Sequence, residues 1–139
     1  MQATSNKPNK IRWYYEGLSK GVFRASKCAD CGKFTFPPTG CCEYCGSWNV
    51  EDAELSGKGT LLFATHSGSD ASHPRFEKAA PFVYGHIRLE EGPITQAIIQ
   101  GVGTSPEELK ALFEKGPVPV QAVTLQMDDL PVIAFKLQD

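Results

Sequence analysis

The stretch Cys28-Ala29-Asp30-Cys31-Gly32, answered by Cys42-Glu43-Tyr44-Cys45-Gly46, decides how this chain is read. Two C-x-x-C-G turns separated by a short segment bring four thiolates to where they converge on one tetrahedral ion. The trailing glycines fit that geometry. A residue just after such a turn needs positive φ so that backbone N–H groups point at the sulfurs, and glycine adopts it without steric cost. The expected ligands are Cys28, Cys31, Cys42 and Cys45. Disulfides are the weaker reading, because the spacing is that of metal turns and no secretory signal pattern is read ahead of it. Cys41 falls outside the C-x-x-C spacing and is expected to be a small packed hydrophobe rather than a reactive thiol. Zinc is the expected ion in a reducing cytoplasm, and an all-thiolate site also accommodates iron.

The chain has 139 residues, 41% hydrophobic and 22% charged, which suits one ordinary domain or a metal-stapled module joined to a compact one. The expected division is 1–56 for an N-terminal helix and ribbon and 57–139 for a second domain. No apolar run approaches the roughly 20 residues needed to span a bilayer, so a soluble, cytoplasmic protein with no membrane partner is expected. A net charge of −2 argues against a general nucleic-acid binder. Up to Lys33 the chain is nonetheless locally positive, with Lys7, Lys10, Arg12, Lys20, Arg24, Lys27 and Lys33 against Glu16 and Asp30. Such an arm suits a charged partner or a phosphate-bearing ligand.

Residues 1–9 read as a frayed terminus. From Lys10, Ile11, Tyr15, Leu18 and Val22 recur at helical spacing, with Trp13, Tyr14 and Phe23 widening the stripe, and the helix should end near Gly21. Residues 22–27 and 33–37 should pair as a hairpin around the first turn, Pro37-Pro38 should stiffen the approach to the second, and 47–55 leads out. Strands are then expected at 59–67, 82–89, 94–102, 118–126 and 132–137. Their alternation is imperfect, as for strands buried on parts of both faces. Ser105-Pro106-Glu107-Glu108 has the pattern of a capping box with proline at the first helical position, opening a helix with Leu109, Leu112 and Phe113 on one face and a stop at Gly116-Pro117. Five strands with one short helix between the third and fourth is the order of a five-stranded OB-fold barrel, and the fold class is mainly β. Gly85, Gly101 and Gly103 would let strands bend or bulge. Residues 68–81 form the one long connection.

The cysteine run with its Pro37-Pro38, the strand entry Leu55-Ser56-Gly57-Lys58-Gly59-Thr60 and Leu130-Pro131-Val132-Ile133-Ala134-Phe135 together resemble the domain of unknown function 35 family. In that family an N-terminal helix and a rubredoxin-like zinc ribbon precede an OB-fold. The resemblance runs from about residue 12 to 137. It implies a non-catalytic accessory subunit of a thiolase-like enzyme acting on acyl-CoA thioesters, in a hetero-oligomer with a large subunit, helping assemble the complex and receive or channel the substrate. On that reading Arg12, Trp13, Tyr14, Tyr15, Lys20, Arg75, Lys78 and Arg88 are the candidate contacts to CoA or to the partner.

No catalytic constellation is read. His66, His73 and His86 come with no nucleophile motif, and there is no P-loop or dinucleotide fingerprint. The alternative from another class is a single-stranded nucleic-acid-binding module, with Phe63, Phe82 and Tyr84 as stacking residues. A third is electron transfer through an iron-loaded site.

Overall fold

The computed structural model describes residues 9–67, 81–127 and 129–138, which form two compact units, one up to Leu55 and one from Ser56 onward. In the first unit Asn9 caps helix α1 (Lys10–Ser19), its side-chain oxygen accepting from the Ile11 and Arg12 N–H groups. The buried face of α1 is Tyr14, Gly17 and Leu18, so that Tyr14 and Leu18 of the expected stripe are buried, Trp13 and Tyr15 are half-buried, and Ile11 is 67% exposed. The reason is Gly17. A Cβ there would stand 2.8 Å from Arg24 Cδ and 2.9 Å from the Val22 carbonyl oxygen. The helix therefore approaches the following chain through its smallest residue, and the inward stripe is centred on it.

Strand β1 (Phe23–Cys28) lies between β2 (Phe34–Thr35) and β3 (Val50–Leu55), all antiparallel. The hairpin of β1 and β2 is as expected. The segment 47–55, read only as a lead-out, instead supplies six residues that pair with the whole of β1. Its sequence, Val50-Glu51-Asp52-Ala53-Glu54-Leu55, hides that role because the acidic residues suit an exposed edge, where charge discourages pairing with another chain.

The second unit is a closed barrel of β4 (Lys58–His66), β5 (Val83–Leu89), β6 (Ile94–Gln100), β7 (Val118–Met127) and β8 (Leu130–Leu137), in the order β4-β5-β6-β8-β7. All pairings are antiparallel except β6 with β8. With helix α2 (Pro106–Leu112) between β6 and β7, this is the OB-type connectivity expected. Alternate residues fill the interior, among them Leu61, Ile87, Leu89, Ile99, Val120 and Phe135. Closure uses a bulge in β4 between Leu61 and Phe63. Opposite it Gly85 lies so close that a Cβ would sit 2.1 Å from the Phe63 carbonyl oxygen. Gly101, at positive φ, ends β6.

Two expectations change. Ser105 caps α2 by accepting from the Glu108 N–H at 3.1 Å, but the helix stops at Leu112, with Phe113 as its C-cap, and buries none of its residues. The closing bonds from Phe113 and Glu114 reach back only three residues, to Lys110 and Ala111, so the last turn is too tight to continue. Burial on both faces is confined to part of β8, where Ile133, Ala134 and Phe135 in succession are buried, whereas β5 alternates between core and surface. The apolar residues that spoil the pattern, Leu62, Phe63 and Ile94, are exposed. Residues 1–8 and 68–80, with His73, Arg75 and Lys78, lie outside the described residues.

Candidate metal centre

Each cysteine pair is shaped by its own backbone. Cys28 closes β1, and its N–H donates to the Lys33 carbonyl while its own carbonyl accepts from the Gly32 N–H, both at 2.9 Å. Cys42 repeats the pattern, donating to the Ser47 carbonyl at 2.8 Å and accepting from Gly46 at 3.0 Å. Gly32 and Gly46 hold φ of 79° and 76°, the left-handed conformation their type was chosen to supply. These turns aim backbone donors at the first sulfur of each pair: Cys31 N–H at Cys28 Sγ (3.4 Å), and the N–H groups of Tyr44 and Cys45 at Cys42 Sγ (3.3 and 3.4 Å).

The four sulfurs of Cys28, Cys31, Cys42 and Cys45 lie within 4.8 Å of one another, with Cys28–Cys45 and Cys31–Cys42 at 3.6 Å. A disulfide needs an S–S separation of about 2.05 Å. A tetrahedron of sulfurs at the zinc–sulfur bond length of about 2.3 Å has edges near 3.8 Å. The observed spacing is that of a metal site, and all five cysteines are free.

Electrostatics agrees with the donor geometry. The Cys31 N–H, with the Asp30 N–H and neighbouring thiols, holds Cys28 below its ordinary value against the desolvation that its burial imposes. The Cys45 N–H, assisted by that of Tyr44, overcomes desolvation and lowers Cys42 to about 6. Against donation from the Ser47 N–H, the Cys28 thiol, desolvation and the other two thiols push Cys45 up to about 12. Against donation from the Lys33 N–H, desolvation and the Cys42 and Cys28 thiols likewise raise Cys31. Sulfurs this close repel one another once ionised, and a cation at their centre would let all four deprotonate together.

A layer of polar contacts joins the two turns. Asp30 accepts from the Ser47 hydroxyl and from Asn49 Nδ2 (3.4 Å), which holds its carboxyl below the usual value. Buried Ser26 exchanges hydrogen bonds with the Thr39 backbone, and buried Thr35 accepts from the Glu43 N–H at 3.2 Å. None of these was singled out from sequence, although hydroxyl residues on strands flanking cysteine turns are a readable signal. Cys41 is half-buried and its sulfur is not in the cluster.

The aromatic stripe divides. Tyr14 is buried against Tyr15 and Phe36 (centroids 5.1 and 5.6 Å), and burial first, then the neighbouring Tyr15, pushes its pKa up to about 12. Trp13 is half-buried, flanked by Lys10 Nζ and Arg24 Cζ at 5.2 Å each, and Arg24 also donates to the Trp13 carbonyl at 3.0 Å. Arg12 and Lys20 are exposed in the first unit, and Arg88 is exposed on β5 in the second. Trp48, which the sequence reading passed over, is 80% exposed. Among the described residues, His66 Nδ1 faces the Ser67 carbonyl oxygen (2.9 Å) and His86 packs on Phe63, and neither hydrogen-bonds to a described hydroxyl or thiol.

The family model described as "ChsH2, rubredoxin-like zinc ribbon domain" matches residues 16–51, the segment that holds all four cysteines. A "DUF35 domain-containing scaffold protein" of Pyrococcus furiosus is 30% identical over 133 residues, 95% of this chain and 94% of that protein. The chain belongs to the DUF35 family. A "Probable enoyl-CoA hydratase alpha subunit" of Thermomonospora curvata is 27% identical over 122 residues, and the match spans only 36% of that longer protein. Among solved structures, this DUF35 chain superposes on the "Ltp2-ChsH2(DUF35) aldolase" with a TM-score of 0.68 over 98% of both chains at 23% identity, which establishes a common fold. Among the described residues no helix is long and apolar enough to cross a membrane.

Proposed function

We propose that this protein is a non-catalytic accessory subunit of a thiolase-like enzyme complex acting on acyl-CoA thioesters in the cytoplasm, with zinc held by Cys28, Cys31, Cys42 and Cys45. The observation that carries the reading is the likeness to a scaffold protein along 95% of the chain, so that ribbon and barrel are matched together rather than one portable module. The aldolase of the structural neighbour and the hydratase subunit of the partial relative point toward carbon–carbon and acyl-CoA chemistry in associated enzymes. The chain's own residues supply structure. Four thiolates fill a tetrahedral ion's coordination sphere and leave no open position for substrate or water, so the metal would act as a staple. In the assembled complex the chain helps hold the enzyme together and receive or channel the CoA substrate, for which the exposed cations Arg12 and Lys20 are available.

The test is turnover of acetoacetyl-CoA and longer acyl-CoA substrates by the chain alone, by its co-purified large partner, and by the two recombined. The expected result is no turnover by the chain alone and a gain in activity or stability of the partner on recombination. Turnover by the isolated chain would overturn the reading.

A further inference from the structure

A barrel strand with one side facing water should place apolar residues inward and polar residues outward. The outward side of β4, β5 and β6 departs from this. Phe63 is 52% exposed, Ile94 53% and Leu62 41%. Pairing sets these residues in adjoining rows: Phe63 lies opposite His86, which lies opposite Gln96, and Thr60 lies opposite Arg88, which lies opposite Ile94. The Phe63 and His86 rings stand 5.7 Å apart. The bulge in β4 produces part of the patch, since the extra residue lets Leu62 and Phe63 both be exposed while Leu61 points into the core.

The charges of this face are one-sided. Of the 16 Asp and Glu residues in the chain, none occurs in β4 (KGTLLFATH), β5 (VYGHIRL) or β6 (ITQAIIQ). The ionisable side chains these strands expose to solvent are Lys58, His66, His86 and Arg88. Glu90, one step beyond β5, closes the end of the face, and its carboxylate accepts from the Ser56 hydroxyl at 2.8 Å. Among the described residues Lys10 pairs with Asp52, whereas neither Lys58 nor Arg88 has a carboxylate within ion-pair distance. Aromatic and aliphatic residues around an arginine, with Asp and Glu depleted, is the composition of an interface centre. The unmatched cations fix the sign of what it meets.

We infer that this face is where the chain docks on its enzyme partner, and that the partner's complementary patch is apolar at its centre with carboxylates placed to meet Arg88 and Lys58. The inference rests on the accessory-subunit reading above. A single-stranded nucleic acid suits the face less well, because a strand-tracking groove needs a run of cations along the backbone path, whereas here the centre is aliphatic and aromatic.

The experiment uses the full-length zinc-loaded chain and the large partner recovered with it, with affinity read by biolayer interferometry. Phe63→Ser and Arg88→Glu are each expected to weaken binding at least about tenfold at unchanged zinc content and melting temperature. Lys110→Glu, on exposed α2, should bind as the parent does. Raising salt from about 50 to 300 mM should weaken the parent complex and affect Arg88→Glu less. If the parent binds and both face variants bind equally well, the docking inference fails while the accessory reading stands. If the parent forms no complex, the accessory reading fails first. Leu62→Ala, a milder change at the same patch, keeps the test valid should Phe63→Ser not fold. Labelled dT12 serves as a second probe: saturable binding lost in Arg88→Glu, with partner affinity undiminished, would overturn the inference in favour of nucleic acid.

Discussion

Gly85→Ala is the sharpest test of how the barrel closes. The added methyl would stand 2.1 Å from the Phe63 carbonyl oxygen and 2.9 Å from Leu61 Cδ1. Ordinary carbon–oxygen contact needs about 3.3 Å, so β4 and β5 would have to separate by roughly 1 Å. The obstacle is backbone held in the ladder that pairs Ala64 with Gly85, and it cannot rotate aside as a side chain can. Overpacking of this kind costs about 3 kcal/mol, the upper end of the usual range. For a unit of this size about 1 kcal/mol moves the melting temperature by about 4–8 °C, so the barrel should melt about 12–24 °C lower. Circular dichroism of the β signal gives the melt, and bound zinc reports separately that the ribbon is intact. Gly92→Ala is the control: its glycine has φ of 120° but nothing within 4 Å of the added Cβ, so the cost is that of backbone conformation alone, about 1 kcal/mol. A Gly85→Ala protein melting within about 2 °C of the parent would refute the close approach and with it the placement of the β4 bulge.

Three further outcomes follow from the ribbon unit. Cys31→Ser should lose the metal and unfold the ribbon, checked by metal analysis and proteolysis, and a fully metallated, protease-resistant variant would contradict the four-thiolate assignment. Asp30→Ala cuts the bonds from Ser47 and Asn49 that tie the two turns together, and should speed zinc transfer to a chelator about tenfold without changing the stoichiometry. Buried Tyr14, with an ordinary value of 10.0 and a folded value of about 12, stabilises the fold fully below pH 10. That contribution, on the order of 3 kcal/mol, should be lost as pH rises from 10 through 12, because only the unfolded state ionises readily there. Urea titrations at pH 9.5 and 11.5 should show the drop in the parent and a smaller one in Tyr14→Phe; equal drops would count against the burial of the hydroxyl.

The parts of the fold that were legible are those where one residue type answers one physical demand. Cysteine pairs with trailing glycines, the Ser105 cap and five β-rich segments around a helix each have few alternatives. What stayed hidden depended on contacts between distant residues. The face that α1 buries is set by Gly17 meeting Arg24 and Val22, which helical periodicity alone does not weigh. β3 is disguised by its acidic edge residues, and its partner β1 lies on the other side of both cysteine turns. Asp30, Ser47 and Asn49 act through one another and none is distinctive alone. In the barrel, the uneven alternation suggested strands buried on both sides, which holds for Ile133, Ala134 and Phe135 of β8 but not for the outward Leu62, Phe63 and Ile94, which are exposed. Local disagreement between a strand's pattern and its surroundings is expected where function, rather than folding, selects the residue.

The most direct test of the central claim is native mass spectrometry of the untagged protein isolated gently from its own source, since it weighs metal and partner together. The account predicts a complex of defined stoichiometry between this chain, carrying one zinc ion, and a larger thiolase-like subunit. A chain that remains alone, metallated and monomeric while such enzymes are present in the same extract would contradict it.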